Sequence, residues 1–237
     1  MNVKMKALLH NLKALPNVWG KRNERRPPEP PRSYQEYVEF QVGTGDDEYF
    51  RSAIFMRELM GQRTYIHKLA RILPREGLIV DCAAGDGVTL AELRILGFPS
   101  LLGIEFSPHR AARARKLGLD IAELDMHDLS RIESGSVAAV LSAHTLEHAM
   151  DPDKPVREFH RILRPGGTMH VVLPYPDPGH WNDHMHVGKR ILGLDRIFGE
   201  RNVIRYFTER GFDLLGYDFD TLREPEIQIS FSKAPSA

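Results

Sequence analysis

Cysteine is nearly missing from this chain. Cys82 is the only one in 237 residues, which excludes an intramolecular disulfide framework and a multi-cysteine zinc site and suits a reducing compartment. Long apolar runs are lacking too, since nothing approaches the roughly 18 residues of a membrane span. The amino terminus makes a poor secretory signal, because Lys4 and Lys6 precede a short apolar stretch that Lys13 breaks. A cytoplasmic protein is therefore expected. No internal repeat is visible. Charge of one sign is missing as well: 32 Lys+Arg balance 32 Asp+Glu. A globally basic nucleic-acid binder does not fit that balance, and no nucleic-acid partner is expected.

The zero sum is uneven along the chain. Residues 1–32 carry eight bases against two acids, and the remaining 205 carry 24 bases against 30 acids. The leader places Met5, Leu8, Leu9, Leu12 and Leu15 at helical spacing opposite lysines. It then runs into KRNERRPPEPP, whose four prolines make it an extended linker. Such a leader is a tail or docked helix, or else a lid or an anchor that touches an anionic surface. With 42% hydrophobic residues, the rest can bury one large core.

Helical periodicity covers about 48–72. The period then switches to short β-rich runs at 78–82, 101–106, 120–124, 137–142 and 168–173. Between them lie helical stretches at 88–97, 108–117, 145–149 and 153–163, the last ending at Pro165-Gly166-Gly167. This alternation implies a parallel sheet wrapped by helices. A helix at about 201–210 leads into strands at 212–219 and 226–232. Only six residues separate that final pair, too few for a parallel crossover, so the pair should be antiparallel.

The chemistry-bearing motif closes the first strand, Val80-Asp81-Cys82-Ala83-Ala84-Gly85-Asp86-Gly87, before a helix. Gly85 and Gly87 allow a tight turn and a close backbone approach to a ligand. Glu105 ends the second strand, where a carboxylate can take both hydroxyls of a ribose. Asp125 and Met126 end the third, placed for an adenine, with Asp128 as the alternative acid. An adenosine-containing ligand is expected. A dinucleotide is not favoured, because Leu90 stands at the third glycine position and Asp86 would repel a pyrophosphate.

Together these motifs resemble the class I S-adenosylmethionine-dependent methyltransferases, in particular the type 11 small-molecule group. The likeness covers about residues 60–232. It rests on VDCAAGDG, GIEFSP, LDMHDL, VLSAHTLEHAMDP and REFHRILRPGGTMHVVLP in that order. Ala83 stands where the family's loop has its first glycine. The resemblance implies a Rossmann-like α/β fold: a seven-stranded sheet in the order 3-2-1-4-5-7-6, strand 7 antiparallel, helices on both faces. It also implies a leader over 1–32 and a methyltransferase domain over 33–237, with a helical cap at 33–72 and a core at 73–237.

Carried over residue by residue, the resemblance implies that Asp81, Ala83, Gly85 and Gly87 hold the methionine part of S-adenosyl-L-methionine. Glu105 takes the ribose, Asp125 and Met126 take the adenine, and Ser142–His144 lies beside the sulfonium. His144, His184 and His186 are the candidate catalytic residues. The last two belong to the crowded segment GHWNDHMHV, which also holds His180 and Trp181. That segment could equally be a plain loop or a metal site, and no metal is assigned. His148 with Glu147 is expected to pin the loop after strand four. The expected reaction is O-methylation of a small-molecule acceptor. The alternatives are N- or C-methylation of a small molecule or macromolecule, a nicotinamide-dependent oxidoreductase, and an inactive cofactor-binding partner subunit. Oligomeric state is not legible.

Overall fold

The structure is a computed structural model that describes residues 31–43, 62–179, 183–220 and 225–234. The basic leader, most of the helical pattern at 48–72, His180 and Trp181 lie outside the described residues.

Seven strands form one sheet: β1 Leu78–Cys82, β2 Leu101–Glu105, β3 Ile121–Glu123, β4 Val137–Ala143, β5 Leu163–Pro174, β6 Phe212–Asp220 and β7 Glu226–Lys233. Their order is β3-β2-β1-β4-β5-β7-β6. β1 pairs in parallel with both β2 and β4, whereas β7 runs antiparallel to β5 and β6. The inner strands read as near-continuous apolar runs because both of their faces are covered. Alternate residues divide between the two cores. Val80, Val140 and Cys82 face the side packed by Val156, Phe159 and Phe207. Ile79, Ala139 and Leu141 face the side packed by Ile66, Leu69 and Leu93.

The helix Asp153–Ile162 buries Val156, Phe159 and Ile162 at intervals of three. Arg161 holds its end in place by donating to the carbonyls of Leu129 and Ile132 while pairing with Glu158. Residues 62–69 are helical and dock on the helix Val88–Ile95. There Arg63 and His67 both meet Glu92, at 3.1 and 2.7 Å. Among the described residues no helix is long and apolar enough to cross a membrane.

One boundary differs from the sequence expectation. Pro165-Gly166-Gly167 does not separate a helix from a later strand, because β5 begins at Leu163. Val137 pairs with Leu163 and Ala139 with Thr168, so two steps along β4 match five along β5. The extra residues bulge outward, with Gly166 at φ 70°.

Gly103 sits mid-β2 with no room for a side chain: a Cβ there would lie 2.5 Å from Ile121, 2.8 Å from Leu90 and 2.9 Å from the Cβ of Ala84. The first two neighbours can rotate; the Ala84 Cβ cannot. Gly103→Ala is expected to destabilise the fold by about 1–3 kcal/mol in urea titration, the usual cost of overpacking.

Candidate active site

The sheet turns in opposite directions from β1, toward β2 and β3 on one side and toward β4 on the other. The loops after β1 and β4 therefore diverge and leave a crevice at the carboxyl edge. In the first loop Ala83, Gly85 and Gly87 all have positive φ, at 61°, 56° and 82°. The two glycines serve different ends. A Cβ on Gly87 would lie 2.3 Å from Leu119, whereas one on Gly85 would meet nothing within 4 Å. Gly87 is thus required by packing, and Gly85 borders open space.

Glu105 ties this loop to the next. Its Oε2 accepts the Gly85 N–H and its Oε1 accepts the Ser107 N–H, both at 2.7 Å. The carboxylate is nearly buried, yet each oxygen retains further acceptor capacity. Asp81, also buried, titrates far above an ordinary carboxylate, at about 7. Burial is the main cause, a hydrogen bond from Thr89 opposes it, and the Glu105 charge adds to it. Asp86 is not an unpaired charge in the loop, because Arg113 pairs with it. Cys82 is a buried small hydrophobe whose thiol is pushed up by burial.

At the third strand Asp125 accepts the backbone N–H of His127 at 2.9 Å, and the His127 ring nitrogen Nδ1 lies 2.7 Å from the same oxygen. Asp128 is exposed and caps the Ser130 N–H at 3.0 Å. Met126 packs against the core. Tyr34 meets the His127 ring edge to face, 5.8 Å between centroids.

Beyond β4 the histidines separate. His144 adopts a left-handed φ of 51° and donates its N–H to Val172 at 2.9 Å. Its ring lies between two acids: Nε2 is 2.9 Å from Glu226, and Nδ1 is 3.6 Å from Glu147, an ion-pair distance. Glu147 is completely buried. His144, His148 and His186 nonetheless hold its carboxyl down at about 2, outweighing the desolvation that raises it. His148 is pushed down by burial. His186 is buried and meets Asp177 at 2.7 Å. Lys189, 2% exposed, bridges Asp177 at 3.5 Å and Asp183 at 2.6 Å. His184 is half-buried and is not part of the group around Glu147.

Sequence reasoning missed Glu226 and Tyr65. Glu226 arrives from β7, 82 residues after the histidine it holds. Tyr65, on the helical segment 62–69, senses both Asp81 and Glu226; those charges, together with burial, push its phenol up. No local signal marks either residue.

A family model for a methyltransferase domain matches residues 80–171, the interval that carries Asp81, Gly85, Glu105, Asp125 and His144. The chain matches a methyltransferase domain over those residues, and its fold is that of S-adenosylmethionine-dependent methyltransferases. It is similar to methyltransferase-like protein 27 of Homo sapiens, 35% identical over 100 residues, 40% of each chain. It is also similar to a ubiquinone biosynthesis O-methyltransferase of Xanthomonas oryzae pv. oryzae, 30% identical over 97 residues, 38% of this chain and 40% of that one. The chain spans 30–42% of the length of the curated relatives it matches.

Among solved structures, the fold is shared with a methyltransferase in complex with the Haloferax volcanii Trm112 methyltransferase activator. There the TM-score is 0.63 and the identity 20%, over 84% of this chain and 98% of that one. It is shared equally with the [4+2]-cyclase SpnF, TM-score 0.60 and 15% identity over 73% and 82%. At such identities the likeness is one of fold.

The cofactor of this class is S-adenosylmethionine, and the residues of the methyltransferase domain fit it. Gly85 borders open space, Asp81 and Glu105 supply buried acceptors, and Asp125 stands at the third strand end. Two outcomes follow for S-adenosylhomocysteine, measured by calorimetry. Glu105→Ala should weaken binding about 10–150-fold, from roughly 1.5–3 kcal/mol for a hydrogen bond to a charged group. For Asp81 the sign comes from its raised pKa. Below about 7 the carboxyl is protonated, and a cationic amine binds best to the ionised form. Affinity should be full above pH 7 and fall up to about tenfold per unit below it, with Asp81→Asn removing the slope.

Proposed function

We propose that this chain transfers a methyl group from S-adenosylmethionine to an oxygen of a small-molecule acceptor, with His144 as the general base. The observation that carries the reading is the placement of the His144 ring at the carboxyl end of β4, between Glu226 and Glu147. When bound, the cofactor supplies a methyl group on a sulfonium, already activated for in-line displacement. What the protein must then do is align the acceptor, an effect on the order of 7–11 kcal/mol in well-oriented systems, and remove its proton.

His144 is suited to the second task. With Nε2–H donated to Glu226, Nδ1 carries the lone pair and takes the acceptor's proton as the acceptor oxygen takes the methyl group; both flanking carboxylates stabilise the imidazolium that forms. Its left-handed backbone and its N–H bond to Val172 hold the ring at the edge of the sheet. Glu226 fixes one ring nitrogen, in the orienting role that the acid of a catalytic triad plays for its histidine. The similarity to a ubiquinone biosynthesis O-methyltransferase supports oxygen as the receiving atom. The helical cap, the basic leader as a surface contact, and His186 as an acceptor-side residue belong to the same proposal.

The test is a screen of phenolic and quinol metabolites for methyl acceptance. His144→Gln should lower kcat by about 10²–10⁴-fold, the range for a lost general base, with S-adenosylhomocysteine affinity unchanged. Glu226→Gln should lower kcat by a smaller factor. Equal losses in cofactor affinity and kcat would instead place His144 in cofactor binding alone. Unaltered turnover would remove it from the chemistry.

A further inference from the structure

Glu147, which flanks His144 in the turn after β4, also faces two imidazoles that proton removal does not require, those of His148 and His186. Glu147 is fully buried, and among the described residues neither of its carboxylate oxygens has a hydrogen-bond partner within 3.5 Å, Nδ1 of His144 standing at 3.6 Å. A buried carboxylate without such partners is costly to maintain. Imidazoles face it. One oxygen lies 3.8 Å from Nε2 of His148. Single donor atoms of Glu147, His148 and His186 all lie within 4.8 Å of one another.

Both histidines are already oriented as metal ligands are. Nδ1 of His148 lies 3.0 Å from the Met185 carbonyl, to which it can only donate. Nδ1 of His186 lies 2.7 Å from Oδ2 of Asp177. With Nδ1 protonated, a neutral imidazole carries its lone pair on Nε2, the atom that His148 turns toward Glu147. Metal-bound histidines almost always donate their other N–H to a carboxylate or backbone carbonyl in this way. Asp177 is itself held by Lys189. The two rings stand at 78° to each other, 5.0 Å between centroids.

We propose that Glu147, His148 and His186 bind one divalent transition-metal ion, with Asp177 and the Met185 carbonyl as outer supports. Two imidazoles and one carboxylate suit Zn²⁺ or a similar first-row ion better than Mg²⁺ or Ca²⁺, which prefer oxygen. Bonds of about 2.1 Å in a tetrahedral site separate donors by about 3.4 Å; the His148–Glu147 pair, at 3.8 Å, would close by a few tenths of an ångström, and no pair, all lying within 4.8 Å, by more than about 1.4 Å. His148 is partly exposed and gives the ion an entry path. The ion would clamp the segment around 183–189 onto the turn Leu146–His148, which Gly188 already meets through its N–H bond to the Glu147 carbonyl at 2.9 Å. Only His186 of the sequence-marked histidine cluster takes part. The inference stands whichever atom is methylated.

The experiment uses the full chain without a histidine tag, stripped with a chelator. Zn²⁺ is titrated by calorimetry, and Co²⁺ is titrated as a visible absorption probe. One equivalent of each should bind, and Co²⁺ should develop the ligand-field bands of nitrogen and oxygen coordination. Asp177→Asn should weaken Zn²⁺ about 10–100-fold. The His148→Ala/His186→Ala double variant should lose binding and the cobalt bands, while His67→Ala keeps both. Circular dichroism monitors folding of each variant. Should the double variant not fold, Asp177→Asn and single His148→Ala decide the matter. Wild-type affinity in folded variants, or no stoichiometric uptake by the wild-type chain, overturns the proposal.

Discussion

Everything in this molecule depends on β1 having parallel partners on both sides. Because the chain leaves β1 toward β2 and later returns to place β4 against its other edge, the loops at the two carboxyl ends must part. The parallel crossovers β1–β2, β2–β3 and β4–β5 run through helices, so the apolar inner strands are covered on both faces and their carboxyl ends collect along one rim. The crevice is thus a by-product of topology. Asp81, Glu105, Asp125 and His144 all stand at or just beyond the carboxyl ends of strands along that rim.

That rim is rich in buried acid, and the acids are not equivalent. Glu105 is held by two backbone N–H groups and stitches adjacent loops. Asp81 has burial working against its ionisation. Asp86 is neutralised by Arg113 and Glu92 by Arg63 and His67. Glu147 and Glu226 face imidazoles. Carboxylates of one chemical type thus meet different partners: backbone N–H groups, guanidinium groups or imidazole rings. The excess of acid outside the leader is in this sense distributed rather than diffuse.

Much of this was legible beforehand, and for a physical reason. Strand identity followed from apolar runs that must be buried twice, and the antiparallel end followed from a connection too short to cross over. The loop motif could be read because a left-handed turn next to a ligand limits which residues fit; Gly87 against Leu119 shows how tightly. The start of β5 was missed because Pro and Gly normally end a strand or helix, yet here a bulge absorbs them. The histidine segment was noticed for its composition, and composition could not say which ring would face which acid.

By itself the sequence determined which runs are strands and that the last pair is antiparallel, through local rules of period, turn and connection length; the strand order followed from the resemblance that its motifs carry. Only the tertiary structure decided that His144 lies between Glu226 and Glu147. It likewise brought His148 and His186 to one buried carboxylate and set Tyr65 beside acids from two distant strands. The His144–Glu226 contact joins residues 82 positions apart. No spacing rule spans such distances; sheet register and helix docking do.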